Sequence, residues 1–144
     1  MNSSAPIPPD PDEDFEKDNI KVTSEYLQSL RRVRGHEVPK SIVDDVTERI
    51  FMDDQAAHHT FRACEGHIPV DTPANRSLLI DVAKESKNFL GIDKRGNWWF
   101  AKKLDNGSQV WSVARPNTGR IWNGGINLNP IEFNIETGLC KLRK

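Results

Sequence analysis

The chain has 144 residues, 36% of them hydrophobic and 28% charged, which suits one ordinary globular domain with a tail. No apolar run approaches the roughly 18–20 residues of a membrane-spanning helix, so no membrane-spanning segment is predicted, and no signal peptide is visible. Two cysteines, Cys64 and Cys140, are too few for a disulfide scaffold, and whether they pair stays open.

Charge is unevenly distributed along the chain. The net charge of −1 argues against a nucleic-acid partner for the chain as a whole. Residues 1–54, however, hold 7 basic and 13 acidic residues, whereas residues 55–144 hold 13 basic and 8 acidic ones. The second part of the chain is therefore the candidate surface for an anionic partner.

The first 20 residues are predicted to form a disordered, acidic, proline-rich linker. Four prolines and six acidic residues fall within the first 18 positions, which leaves too little apolar surface to pack. Residues 21–144 are expected to form a single domain, with a helical part at 21–90 and an antiparallel sheet at 91–140.

Two helices are predicted in the first part of that domain. Ser24 can cap the first, which Gly35 ends. Ser41 can cap the second, whose apolar side chains recur at helical spacing as far as Phe51. This helix, or a continuation of it, is expected to carry residues 55–63.

A third helix is predicted after the loop IPVDTP. Asp71 or Thr72 can cap it, and Pro73 stands at its first position, where proline is well tolerated. Its expected buried stripe consists of Leu78, Leu79, Val82 and Phe89.

The last third of the chain has the pattern of an antiparallel meander. The alternating segments NWWFAKKL and SQVWSVAR flank the turn Asp105–Asn106–Gly107, which is a strong hairpin signal. A turn at residues 116–119 leads into RIWNGGINL, and IEFNI follows as a last short strand. Helices followed by a sheet predict the α+β class.

The stretch HHTFRACEGHIPVDTPANR, residues 58–76, contains three of the four histidines. His58, His59, Cys64 and His67 could bind a metal ion. Structural zinc sites usually pair their ligands in two separated knuckles, however, and no CxxC or HxxxH is present. Neither a metal site nor a cofactor is therefore predicted.

Acid–base chemistry is the alternative use of these histidines. His59 near a helix end and His67 in the following loop could converge on one phosphate. One imidazole would remove the proton of a 2′-OH, and the other would protonate the leaving 5′-oxygen. The competing interpretation, that both rings only make local hydrogen bonds, stays open.

Basic and aromatic residues alternate in the predicted sheet, as they do on surfaces that bind single-stranded RNA. The residues are Lys102, Lys103, Arg115 and Arg120, interleaved with Trp98, Trp99, Trp111 and Trp122. Most of these tryptophans are expected in the core, and only one of the adjacent pair Trp98 and Trp99, which point opposite ways, is expected to be buried. The glycines of NGGIN predict a bulge, a bend or a close approach of backbone to a ligand.

Taken in order, HHTFR…GH, DTPANRSLLIDVA, FLGIDKRGNWWFAKKLDNGSQVW and GRIWNGGINLNPIEFNIETGL resemble a C-terminal toxin module of bacterial polymorphic and contact-dependent growth inhibition toxins. The resemblance covers about residues 55–140. In layout it is closest to EndoU-like ribonucleases of the barnase–EndoU–colicin–RelE (BECR) group. It implies N-terminal helices packed on a small twisted antiparallel sheet, which agrees with the pattern above.

The resemblance also implies an activity and a set of site residues. The activity is metal-independent cleavage of RNA, by family habit tRNA, through 2′-OH attack that leaves a 2′,3′-cyclic phosphate. His59 and His67 fall on the family's histidine positions, in undetermined order of acid and base. Arg115 and Lys103 are the predicted phosphate contacts of the catalytic site. The predicted substrate-binding residues are Asn123, Asn127, Thr118, Trp111 and Arg120.

Modules of this kind form the end of a larger secreted or delivered toxin and act in the cytoplasm of a competing cell. The resemblance therefore implies a cognate immunity protein, whose acidic surface would cover the basic site. Two alternatives remain. One is a metal-dependent nuclease that uses the histidine-rich stretch, and the other is a non-enzymatic module that binds RNA or protein.

Overall fold

The computed structural model describes residues 38–139, in which three α-helices precede a four-stranded antiparallel sheet. The helices are α1 (Lys40–Glu48), α2 (Asp54–Thr60) and α3 (Pro73–Ala83), followed by a 3₁₀ turn at Ser86–Asn88. The strands are β1 (Phe89–Ile92), β2 (Trp98–Lys103), β3 (Gln109–Ala114) and β4 (Ile121–Asn127), and they lie side by side in chain order. The predicted α+β class is confirmed. The linker and the helix predicted after Ser24 lie outside the described residues.

The second predicted helix is divided into two. Pro39 occupies the N-cap position of α1 without a side-chain cap, so Ser41 lies inside the helix and does not cap it. The chain leaves the helix after Glu48, and Phe51 instead forms a parallel bridge with Arg120. Asp53 then begins α2, because its carboxylate accepts a hydrogen bond from the Ala56 N–H at 2.8 Å. The region around α2 is thereby fastened to the start of β4.

The third helix begins as predicted. The Thr72 hydroxyl accepts a hydrogen bond from the Asn75 N–H at 3.0 Å, and Pro73 is the first helical residue. The helix ends at Ala83, however, and Phe89 lies in β1 rather than on the helix. The residues FLGI thus form an edge strand that the sequence pattern did not predict.

The predicted hairpins are present. The Gly107 turn joins β2 to β3, which pair from Trp98–Ala114 to Lys103–Gln109. In the chain that follows β4, IEFNI does not form a strand. It leads into a tight turn closed by an isolated bridge between Asn134 and Gly138.

Both faces of the sheet are covered, so Trp98 and Trp99 are both buried, and the prediction that only one would be is wrong. The helices cover the face of Trp98, where the buried Ser112 hydroxyl donates to the Leu79 carbonyl at 2.6 Å. The segment after β4 covers the opposite face, where Leu139 packs in the cluster of Trp99. This second segment has no regular secondary structure, so no hydrophobic periodicity in the sequence could predict it.

Candidate functional site

His67 lies in the loop after α2, and this loop is held against β4. The loop is closed on itself, because the Arg62 N–H donates to the Ile68 carbonyl and the His67 N–H donates to the Cys64 carbonyl, each at 3.0 Å. The His67 ring is half-buried, with Nδ1 3.2 Å from the Gly124 carbonyl oxygen. Its edge-to-face contact with Trp111, at 5.6 Å between centroids, fixes the ring against the sheet.

The glycines of NGGIN make this approach possible. A Cβ on Gly125 would overlap the Gly66 carbonyl oxygen and would lie 2.9 Å from the Cα of His67. A Cβ on Gly124 would lie 2.9 Å from the Trp111 carbonyl oxygen. Of the predicted uses of these glycines, the structure therefore has a close backbone approach, but it is to the protein's own loop.

Arg62 is a candidate site residue that was not predicted from the sequence. Its guanidinium Nη2 lies 3.0 Å from Nε2 of His67. A guanidinium can only donate, so Nε2 must accept, and the ring proton must lie on Nδ1, where it is donated to the Gly124 carbonyl. The contacts on both sides of the ring therefore assign the neutral Nδ1–H tautomer. The signal was present in the sequence, since Arg62 stands within HHTFR.

The electrostatic environment favours the same neutral form. Burial lowers the pKa of His67 below its usual 6.5, and the positive charge of Arg62 lowers it further. The hydrogen bond to Gly124 opposes this effect, and His59 adds a smaller lowering. His67 is thus an unprotonated imidazole at neutral pH, with its basic nitrogen directed at a guanidinium.

His59 and His58 lie in the last turn of α2 and are both exposed. His59 is close enough to His67 for its charge to lower the pKa of that ring. His58 instead acts on Asp71, whose pKa is lowered mainly by Arg76 and to a smaller extent by His58. The neighbouring Thr60 hydroxyl donates to the Trp122 carbonyl at 3.4 Å, which ties this end of α2 to β4.

The two predicted phosphate contacts lie apart. Arg115 is exposed in the β3–β4 turn, with its guanidinium carbon 5.8 Å from the centroid of the Trp122 ring. Lys103 is exposed at the C-terminal end of β2, which is separated from β4 by two strand spacings, about 10 Å. Arg115 therefore stands beside the strand that supports His67, whereas Lys103 stands at a distance.

Four of the predicted substrate-binding residues are engaged within the protein. Trp111 is buried and stacked on Trp99, so its faces are closed to a base. Arg120 forms a bidentate ion pair with Asp53, at 2.8 and 3.2 Å. Thr118 is buried and accepts the N–H of Arg120, and Asn123 accepts the N–H of Gly124. We therefore do not assign these four side chains to substrate.

Asn127, the fifth, lines a cavity beside His67. The cavity has a volume of about 460 Å³ and lies between the loop of His67 and the chain that follows β4. The polar side chains of its lining are those of Cys64, Glu65, His67, Asn127 and Asn129, and the apolar ones are those of Ile68, Pro69, Ile126, Leu128 and Ile131.

Within residues 38–139, no three His, Cys, Asp or Glu side chains are grouped as ligands for a metal ion. Cys64 is an exposed free thiol, and Cys140 lies outside the described residues. None of the helices in this part of the chain is long and apolar enough to cross a membrane. The chain matches no family model, no curated protein and no solved structure.

Proposed function

We propose that the protein is a metal-independent endoribonuclease whose catalytic groups are His67, His59 and Arg62. The observation that carries this proposal is the pair of His67 and Arg62, in which a neutral imidazole presents Nε2 at 3.0 Å from a guanidinium. Such a pair combines a base with a phosphate-binding cation, which are two of the groups that RNA cleavage without a metal requires.

His67 is the general base in this proposal. Burial and the nearby Arg62 hold its pKa low, so Nε2 is free of a proton at neutral pH. When a phosphodiester binds, Arg62 turns from the neutral imidazole to the charged phosphate, because hydrogen bonds between ionised groups are the stronger ones. Nε2 can then accept the proton of the 2′-OH.

His59 is the general acid, which assigns the order that the sequence left open. It is exposed at the end of α2 and is close enough to His67 for its charge to act on that ring. The 2′-oxygen attacks phosphorus, the bond from phosphorus to the 5′-oxygen breaks, and protonated His59 supplies the proton of the leaving 5′-OH. The products are a 2′,3′-cyclic phosphate and a free 5′-hydroxyl, and Arg62 stabilises the charge of the phosphorane between them.

Arg115 is proposed to bind the RNA backbone beyond the scissile phosphate, since it is exposed next to the strand that supports His67. The substrate is proposed to be tRNA, in line with the toxin resemblance. The same resemblance supports delivery as the C-terminal part of a larger toxin into a target-cell cytoplasm, and neutralisation by an acidic immunity protein. The basic balance of residues 55–144 is consistent with both partners.

The test is cleavage of purified bacterial tRNA and total RNA in excess EDTA by the unmodified protein and by H67A, H59A, R62A and H58A. We expect discrete fragments with cyclic-phosphate ends, and losses of about 10²–10⁴ in rate for H67A and H59A. H58A is the matched control, because His58 is an exposed histidine on the same helix turn whose charge lowers the pKa of Asp71, and it should retain activity.

Three results would contradict the proposal. Cleavage that persists in H67A and H59A would move the chemistry elsewhere. Cleavage abolished by EDTA would favour the metal-dependent nuclease. RNA left intact by folded protein at every concentration, together with RNA binding that H67A retains, would favour the non-enzymatic module.

A further inference from the structure

We infer that the cavity beside His67 holds the base of the nucleotide that supplies the attacking 2′-OH, and that it selects a base with an exocyclic amino group. This inference rests on the proposed ribonuclease function and adds a specificity to it. It is carried by the orientation of the amide of Asn127, a buried residue that lines the cavity.

The cavity adjoins the proposed catalytic pair. His67 belongs to both the proposed catalytic pair and the cavity wall. A ribose whose 2′-OH lies at Nε2 therefore has its base within reach of this space. The volume of about 460 Å³ falls within the roughly 300–1,000 Å³ range of small-molecule sites.

The lining contains apolar side chains from two segments of the chain. Ile68 and Pro69 come from the loop of His67, and Leu128 and Ile131 come from the chain after β4. Pockets that hold an unstacked base commonly place it between apolar or aromatic side chains and bind its edge with polar groups. Leu128 is 81% exposed, a large apolar side chain left in solvent at the cavity wall. A base inserted between these walls would cover it.

The amide of Asn127 is oriented by its neighbours. The Gln109 side chain is fixed first, because its Oε1 accepts the Ile131 N–H at 3.1 Å and its Nε2 donates to the Ile131 carbonyl. Asn127 must therefore direct its Nδ2 at Gln109 Oε1, at 3.0 Å, and the same nitrogen donates to the Leu139 carbonyl at 3.2 Å. Both amide hydrogens are used, and a flipped amide would place oxygen against oxygen twice.

The oxygen of that amide is the group left for a ligand. Asn127 is only 8% exposed, and within residues 38–139 its Oδ1 accepts no hydrogen bond. Oδ1 is directed toward Gly66, where an added Cβ would lie 3.1 Å away, at the same loop that forms the cavity wall. An oriented acceptor favours a donor, and the exocyclic amino group of adenine or cytosine is such a donor. In hypoxanthine or uracil a carbonyl replaces this amino group, and that carbonyl cannot donate a hydrogen bond to Oδ1.

The experiment measures binding separately from cleavage. Full-length protein is titrated with the 3′-monophosphates of adenosine, inosine, cytidine and uridine, followed by calorimetry and by the NMR signals of the Asn127 side-chain amide. We expect the amino-bearing member of at least one pair, AMP over IMP or CMP over UMP, to bind about tenfold more tightly, because its amino group donates to Oδ1 of Asn127, whereas the carbonyl of the other member cannot. The Asn127 signals should shift with it.

Two variants locate the binding. L128A removes an exposed apolar side chain of the cavity wall and should weaken the preferred nucleotide severalfold while leaving the fold intact. I135A is the matched control, because Ile135 is 48% exposed and does not line the cavity, and it should bind like the unmodified protein. Three results would each overturn the inference. The two members of each pair could bind equally, none of the four nucleotides could bind at millimolar concentration, or L128A could bind as the unmodified protein does.

The outcome can be separated from that of the proposed function. Amino-selective binding by a protein that does not cut RNA would support the base site and remove the ribonuclease. Cleavage of RNA with no preference within either nucleotide pair would support the ribonuclease and remove the base site.

Discussion

Replacing Gly125 by alanine tests whether the sheet itself sets the position of His67. The added Cβ would overlap the Gly66 carbonyl and lie 2.9 Å from the Cα of His67, so the loop must move outward. The hydrogen bond from His67 to Gly124 is already 3.2 Å long, and a displacement of about half an ångström removes it. We expect this overpacking to lower the free energy of unfolding by about 1–3 kcal/mol.

The specific expectation concerns the pKa of His67. Burial is the largest cause of its lowering, so an outward shift of the loop should raise this pKa toward 6.5 even though the Gly124 hydrogen bond is lost. The assay is an NMR titration of the histidine Cε1–H signals. G107A is the control, since Gly107 has open space but φ of +90°, and alanine there costs about 1–2 kcal/mol of strain without touching the site. A folded G125A protein with the titration of the unmodified protein would refute the reasoning.

Three further predictions concern stability. The pKa of His67 is lowered in the folded state, so the unfolded chain binds the proton more readily. The free energy of unfolding should therefore fall as the pH drops below about 6.5. Chemical denaturation at a series of pH values should show this slope, and H67Q should flatten it. D53A removes both the cap of α2 and the ion pair with Arg120, and in urea unfolding it should cost about 0.5–2 kcal/mol of stability. D53N retains a capping oxygen and should cost less. Equal losses in the two variants would assign the effect to the ion pair. L79A opens a cavity where Leu79 is fully buried, and by thermal or urea unfolding it should cost about 2–5 kcal/mol of stability. L90A should cost less, because Leu90 is 37% exposed. A larger loss for L90A than for L79A would contradict the described core.

The local signals in the sequence were sufficient for much of the fold. The cap at Thr72 with Pro73, and the turn at Gly107, are decided by a few neighbouring atoms, and both were predictable. The edge strand FLGI was not, because four residues show no alternation and Phe89 fits the stripe of the preceding helix. The break after Glu48 was missed for a different reason, since a strand 70 residues later competes for the backbone of Phe51.

His59 and His67 could be selected as candidates from the sequence, whereas the geometry around His67 could not. The spacing within HHTFRACEGH predicted that His67 lies in the loop after the helix. In the structure, its ring is held against β4 by the contact with Gly124. The role of Arg62 depends on which ring nitrogen faces it, which only the Gly124 contact decides. Likewise, Asn127 was expected near the substrate, but the direction of its amide depends on Gln109 and Leu139. Long-range partners of this kind leave no local pattern.

The contacts that hold the loop of His67 also set the order in which the site can be assembled during synthesis. His59, Arg62 and His67 leave the ribosome before β4, but His67 is supported by Gly124, 57 residues later, and Thr60 by Trp122, 62 residues later. The helix-bearing segment cannot close on a strand that has not yet been made. A nascent chain that ends before β4 therefore carries every proposed catalytic side chain without the surface that arranges them. The proposed ribonuclease activity would therefore arise only after β4 has been made.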